Sequence, residues 1–183
     1  DEVFYLDDIS LTTTTLGYNF PGTAGLWNGL VDDNWFNPCN WDDRQVPTAA
    51  TNVTFPTGSN NDIVIQVGQN CQCNNIVCSG GAGHMIKAEG NPSKMLTVFG
   101  NLTNSTTAGS TVLDFSDGTL GTADGTLNLH GDWTNNSSSG DFVEGESSVN
   151  FLGSGNQTIT LATIEPTENF FNLTVNKSGG DVI

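Results

Sequence analysis

Basic side chains are nearly missing from this chain: Arg44, Lys87, Lys94 and Lys177 stand against 20 acidic residues, for a formal charge of −16 over 183 residues. Binding to phosphate-rich partners depends on clustered Lys and Arg, so neither nucleic acid nor an anionic lipid surface is an expected partner. Histidine is almost as scarce, with only His84 and His130, and no Gly-x-Ser-x-Gly figure marks a nucleophile. Ala, Leu, Glu, Lys and Arg are too thin to build amphipathic helices of ordinary length, so almost no helix is expected. No stretch approaches the roughly 20 apolar residues that span a bilayer, and no signal peptide opens the chain. Membrane insertion is therefore not expected.

Gly, Asn, Thr and Ser fill the space that these absences leave. A short figure occurs twice, as Leu96-Thr-Val-Phe-Gly-Asn-Leu-Thr-Asn104 and Leu127-Asn-Leu-His-Gly-Asp-Trp-Thr-Asn135. Each is an alternating β segment that runs into a Gly-Asn or Gly-Asp turn. Looser echoes centre on Ile76, Val98, Leu129, Phe151 and Leu173, with steps of 22, 31, 22 and 22 residues. The one excess falls between Thr103 and Gly125, a Gly-, Ser-, Thr- and Asp-rich stretch that reads as a loop. Self-similarity at such a period marks a solenoid, in which each coil buries its apolar face against the next. The fold class expected is all-β, a right-handed parallel β-solenoid (β-helix) with Val98, Leu129, Phe151 and Leu173 in one interior column. An antiparallel β-sandwich is the runner-up, although it gives no reason to keep a period. The many Asn-x-Ser/Thr triplets fit the corners of such a coil, because Asn tolerates the left-handed backbone.

Four cysteines, Cys39, Cys71, Cys73 and Cys78, form an even set. Disulfides are preferred over zinc, since structural zinc sites favour paired Cys-x-x-Cys knuckles. Positions i and i+2 of a strand point the same way but too far apart for an easy bond. Cys39 with Cys71 or Cys73, and the other with Cys78, is the favoured scheme. All three connectivities stay open.

Trp27, Trp35, Phe36 and Trp41 lie close together in a stretch with Asp32, Asp33, Asp42 and Asp43. The first coil of a solenoid leaves an open core and unpaired strand edges, which invite aggregation unless covered. A Trp-rich N-terminal cap, aromatic beneath and acidic outside, answers that need. The rival role is a glycan platform, with Trp27, Trp35 and Trp41 stacking on sugar rings.

The segment Leu26-Trp-Asn-Gly-Leu-Val-Asp-Asp-Asn-Trp-Phe-Asn-Pro-Cys-Asn-Trp41, followed by Val46-Pro-Thr48 and Asn52-Val-Thr-Phe55, resembles the opening found before β-solenoid repeats in large secreted proteins of Bacteroidota. Gly131-Asp-Trp-Thr-Asn135, Val149-Asn-Phe-Leu-Gly-Ser-Gly-Asn-Gln-Thr-Ile159 and Phe170-Phe-Asn-Leu-Thr-Val-Asn-Lys-Ser178 are similar to later figures of the same proteins. The resemblance implies export by the type IX system to the outer-membrane exterior and a role as an adhesin, a motility protein or a non-catalytic part of a polysaccharide-degrading enzyme. Val3-Phe-Tyr-Leu-Asp-Asp-Ile-Ser-Leu11 resembles the closing strand of a jelly-roll carbohydrate-binding module, which implies a structural calcium ligand role for Asp7 and Asp8. No cofactor is expected beyond the structural calcium that this resemblance implies.

Acid-pair hydrolysis could draw on Asp114, Asp117, Asp124, Asp141, Glu144 or Glu146, but these lie in polar loop stretches with no apolar run to raise a pKa. A solvated loop is the expected state, and the chain is not expected to be an enzyme. His130 holds the place of Phe99 in the repeat and reads as an outward side chain. The organisation expected is the last strand of a preceding module at 1–11, a linker at 12–25, the cap at 26–56 and truncated solenoid repeats at 57–183. A non-enzymatic structural or adhesive segment of a secreted or cell-surface protein follows, with surface glycans or other copies and segments of the same protein as partners. A polysaccharide-binding accessory region is the alternative.

Overall fold

The computed structural model describes residues 22–56, 61–81, 86–107, 113–136, 142–161 and 168–183. The elements there are a 3-10 turn, Pro38–Asn40, and fourteen short strands. These are β1 (Val53–Phe55), β2 (Ile63–Val64), β3 (Asn70–Cys73), β4 (Ile76–Gly81), β5 (Ile86–Lys87), β6 (Met95–Val98) and β7 (Leu102–Thr107). The chain continues with β8 (Leu113–Asp114), β9 (Thr126–Leu129), β10 (Trp133–Asn135), β11 (Phe142–Val143), β12 (Ser148–Phe151), β13 (Ile159–Leu161) and β14 (Asn172–Val175). Up to β13 every third strand falls in the same sheet, and β14 follows β12: the sheets are β1-β4-β7-β10-β13, β2-β5-β8-β11 and β3-β6-β9-β12-β14. All pairings between these strands are parallel. The chain is a three-sided parallel β-solenoid, as the repeat implied.

Inside the coil, alternation along each strand sends one set of side chains to a common core. In the third sheet the register stacks Cys71, Leu96, Leu127, Val149 and Leu173 in one column and Cys73, Val98, Leu129, Phe151 and Val175 in the next. Val98, Leu129 and Phe151 therefore align as expected. Leu173 does not: it pairs with Val149, and Val175 continues the Phe151 column. Ile76 stands in the first sheet, between Val53 and Leu102. Successive coils are 23, 26, 31 and 26 residues long measured on the first sheet and 25, 31, 22 and 24 measured on the third, so the step of 22 holds in register only from Leu129 to Phe151. The expected loop between Thr103 and Gly125 also carries β7 and β8, and the extra length sits between β8 and β9.

The Gly-Asn/Asp figure builds the corner between the third and first sheets. The side-chain oxygen of Asn75 accepts the backbone N–H of Asn101 at 2.7 Å, Asn101 accepts that of Asp132 at 2.8 Å, and Asp132 accepts that of Thr158 at 2.8 Å. Four successive coils are thus clipped by three bonds of one kind, which satisfy backbone donors that the corner withdraws from the strand ladder. The glycine before Asn101 and before Asp132 makes room. A Cβ on Gly100 would lie 2.2 Å from the Asn75 side-chain oxygen, and one on Gly131 would lie 2.3 Å from that of Asn101. Asn contributes here through its side chain and not through a left-handed backbone: among the described residues the only non-glycine with positive φ is Arg44.

The Trp-rich segment is tied to the residues just before it and to the first two sheets. Thr23 N–H donates to Asp42 at 2.8 Å, which draws the 22–25 stretch into it, while Val53–Phe55 already belongs to the first sheet. Leu26 pairs with Thr54 in a parallel bridge, and Val64 N–H donates to the Asp33 carbonyl at 3.0 Å. The edges of β1 and β2 are covered in this way.

Candidate functional surface

Trp27, Trp35 and Trp41 are fully buried. Trp41 packs edge-on against both others, with ring centroids 4.9 Å apart in each pair. Trp27 Nε1 donates to the Asn61 carbonyl and Trp41 Nε1 to the Trp35 carbonyl, both at 2.8 Å. None of the three indoles has a face to offer a sugar ring, so the glycan platform does not lie on them. Phe36, expected on the underside, is partly exposed instead.

The same segment carries a polar knot. Buried Asn40 accepts from the backbone N–H groups of Val31 and Asp32 and donates to the Asp32 carboxylate at 2.6 Å. Asp32 also accepts from the Asn34 backbone and the Asn37 side chain, at 2.9 and 2.7 Å. These donors, the Asn34 backbone first, hold the Asp32 carboxyl below its ordinary value. Asp32 therefore organises the cap and does more than keep its outside wet.

The cysteines are all free, which departs from the expected disulfides. The cause is their placement: Cys71, Cys73 and Cys78 are inward core positions that act as small apolar side chains. Burial pushes the Cys73 thiol up to about 12 and raises Cys71 and Cys78 as well, the latter two also through the neighbouring Cys73. The thiolate is the nucleophile and metal ligand, so these thiols are chemically quiet. Among the described residues no group of His, Cys, Asp and Glu is arranged to hold a metal ion. Asp7 and Asp8 lie outside the described residues, as do His84 and Asp141.

Of the loop acids, Asp124 departs most from a solvated state. It is buried, and its carboxylate accepts from Gly90 N–H at 2.5 Å, Glu146 N–H at 2.8 Å and Asp117 N–H at 3.3 Å. Those donors come from three successive coils, so Asp124 is a staple for the long β8–β9 loop. Sequence reasoning missed it because nothing in a Gly-, Ser- and Asp-rich stretch distinguishes a buried carboxylate from a wet one. Beside it lies a recess of about 180 Å3 bordered by Leu120, Glu146 and Phe171, below the range of ~300–1,000 Å3 usual for small-molecule sites. His130 stacks on Phe99, its counterpart in the repeat, with centroids 5.1 Å apart and planes at 20°. Phe99 stays exposed at this stack.

What remains outside is regular. On the first sheet Thr54, Val77, Thr103, Thr134 and Thr160 form one outward rank in register. On the third sheet Thr97 donates to Asn70, and Asn128 and Asn150 continue a ladder of side-chain bonds from coil to coil. The flat faces are the candidate functional surface.

Comparisons of the chain with protein-family models, with curated proteins and with solved structures find no match.

Proposed function

We propose that this chain is a non-enzymatic structural or adhesive segment of a large secreted surface protein, of the kind its sequence figures resemble in Bacteroidota. The observation that carries the reading is where the polar groups are used. Asn75, Asn101, Asp132 and Asp124 hold coil to coil through backbone N–H groups, and the outward Thr and Asn ranks repeat without converging on a point. A site built for chemistry gathers unlike groups around one reacting atom. A spacer or adhesive rod needs like groups laid out along an axis. A strongly acidic exterior suits a protein that stays dispersed in water.

The polysaccharide-binding alternative keeps one observation in its favour, the rank Thr54, Val77, Thr103, Thr134 and Thr160. A glycan array probed with the purified chain separates the two. The scaffold reading expects no saturable binding to any array polysaccharide. Saturable binding that Thr103→Ala and Thr134→Ala abolish without a change in melting temperature would replace it with the accessory reading.

A further inference from the structure

The outward side chains of the three sheets are used differently. On the third sheet Thr97 donates to Asn70, Asn128 to Thr97 and Asn150 to Asn128, so the polar groups there serve one another. The second sheet carries Lys87 and Asp114. The first sheet does neither. Its five strands contain no Asp, Glu, Lys or Arg, in a chain with 20 acidic residues. Asp132, at the corner before β10, is occupied with Thr158 N–H. Phe55 and Trp133, the only aromatic side chains of these strands, are buried in the core. Thr54, Val77, Thr103, Thr134 and Thr160 run along the outside in unbroken register. Among the described residues no protein group bonds to the four hydroxyls of that row.

We infer that this face binds the surface of ice, with Thr103 and Thr134 at the centre of the contact. The row is a line of β-branched side chains about 4.8 Å apart, and each is stiff at χ1. It is set in place before a partner arrives, which spares the ordering cost of binding. Such a row fits a partner that is uncharged, periodic at the same interval and extended beyond a single small molecule. Ice meets all three conditions. Its oxygen rows repeat at nearly the strand interval along one crystal axis, and lattice water both donates to and accepts from a hydroxyl. The methyl groups of the four threonines and of Val77 stand in the same row and release disordered water on contact. A charged face would hold on to its own hydration instead. A polysaccharide is the competing partner, but sugar recognition draws on exposed aromatic rings and this face presents none. The assignment rests on the adhesive role proposed above and names what is adhered to.

Ice grown slowly from a solution of the purified chain should take the protein up, as read by absorbance of the melted ice. A seed crystal in the same solution should show a gap between its melting and growth temperatures. The double variant Thr103→Tyr with Thr134→Tyr should lose both effects with an unchanged unfolding temperature, because both side chains point out of the coil. Thr174→Tyr, outward on the third sheet between Leu173 and Val175, should keep both. Exclusion of the unmodified chain from growing ice overturns the inference. So does uptake that the double variant retains. Adsorption to microcrystalline cellulose or chitin that the double variant loses, without uptake into ice, gives the face to polysaccharide and overturns it as well. Silence on ice alone leaves the scaffold reading standing, whereas saturable binding on the glycan array removes that reading.

Discussion

Asn101 sits one coil above Asn75 and donates its backbone N–H to the Asn75 side-chain oxygen at 2.7 Å, as Asp132 donates its own to Asn101 at 2.8 Å. The short figure that recurs in the sequence is therefore a mechanical part, a clip between one coil and the next, and its glycine is the clearance the clip needs.

Gly131→Ala tests that clearance. The new methyl would meet the Asn101 side-chain oxygen and the Gly100 carbonyl, each at 2.3 Å, and forced overpacking typically costs ~1–3 kcal/mol. Urea unfolding should show a loss in that range for Gly131→Ala and for Gly100→Ala. Gly155→Ala, with open space around its Cβ, should be close to neutral.

Trp35→Ala removes a fully buried indole from the cap, and such truncations cost about 3–5 kcal/mol. A fall in melting temperature measured by circular dichroism checks this. Trp35 Nε1 is buried without a hydrogen-bond partner, so Trp35→Phe deletes an unsatisfied donor along with some packing. It should be markedly milder than the alanine variant.

The parts of this structure that the sequence disclosed share a physical cause. Leu96, Val98, Leu127 and Leu129 alternate over four-residue strands, and alternation is legible whenever a strand is long enough to show it. The second sheet was not legible because β2, β5, β8 and β11 are two residues each. Leu173 misled because Phe170 and Phe171 precede it: Phe170 packs on Trp133 and Phe151, and the true register follows from pairing across the sheet. The cysteines misled for a different reason. An even count in a chain that reads as exterior favours bridges, while the inward positions of Cys71 and Cys73 on β3 emerge only once the coil is closed. Trp27, Trp35 and Trp41 were legible as a cap, and their full burial removes the competing role.

Thiol accessibility follows from the cysteine placement. In the native chain a dithiobenzoate-type reagent at neutral pH should titrate Cys39, which is partly exposed, and spare Cys71, Cys73 and Cys78. Denaturation should release all four. Because burial raises the Cys73 thiol to about 12, raising the pH to moderately alkaline values should not unmask it while the fold persists.

Asp32 gives the cap an acid limit. Its folded pKa is held below the ordinary carboxyl value by hydrogen bonds from the Asn34 backbone and the Asn37 and Asn40 side chains. A depressed carboxyl contributes stability that is present above its unfolded pKa and is lost as the pH falls through the folded one. The melting temperature of the native chain minus that of Asp32→Asn should therefore be positive near neutral pH and shrink as the pH drops below about 4. A difference that grows on acidification would contradict the role given to Asp32.

The stacking of coils in parallel register is measured most directly by the distance between spin labels on one outward rank. Thr54 and Thr160 stand four strands apart in the first sheet, and each step is about 4.8 Å. Double electron–electron resonance on the doubly labelled, cysteine-depleted chain should give a narrow distribution near ~19 Å between backbones, widened only by the label linkers. A broad distribution, or one centred far from that spacing, would contradict the solenoid.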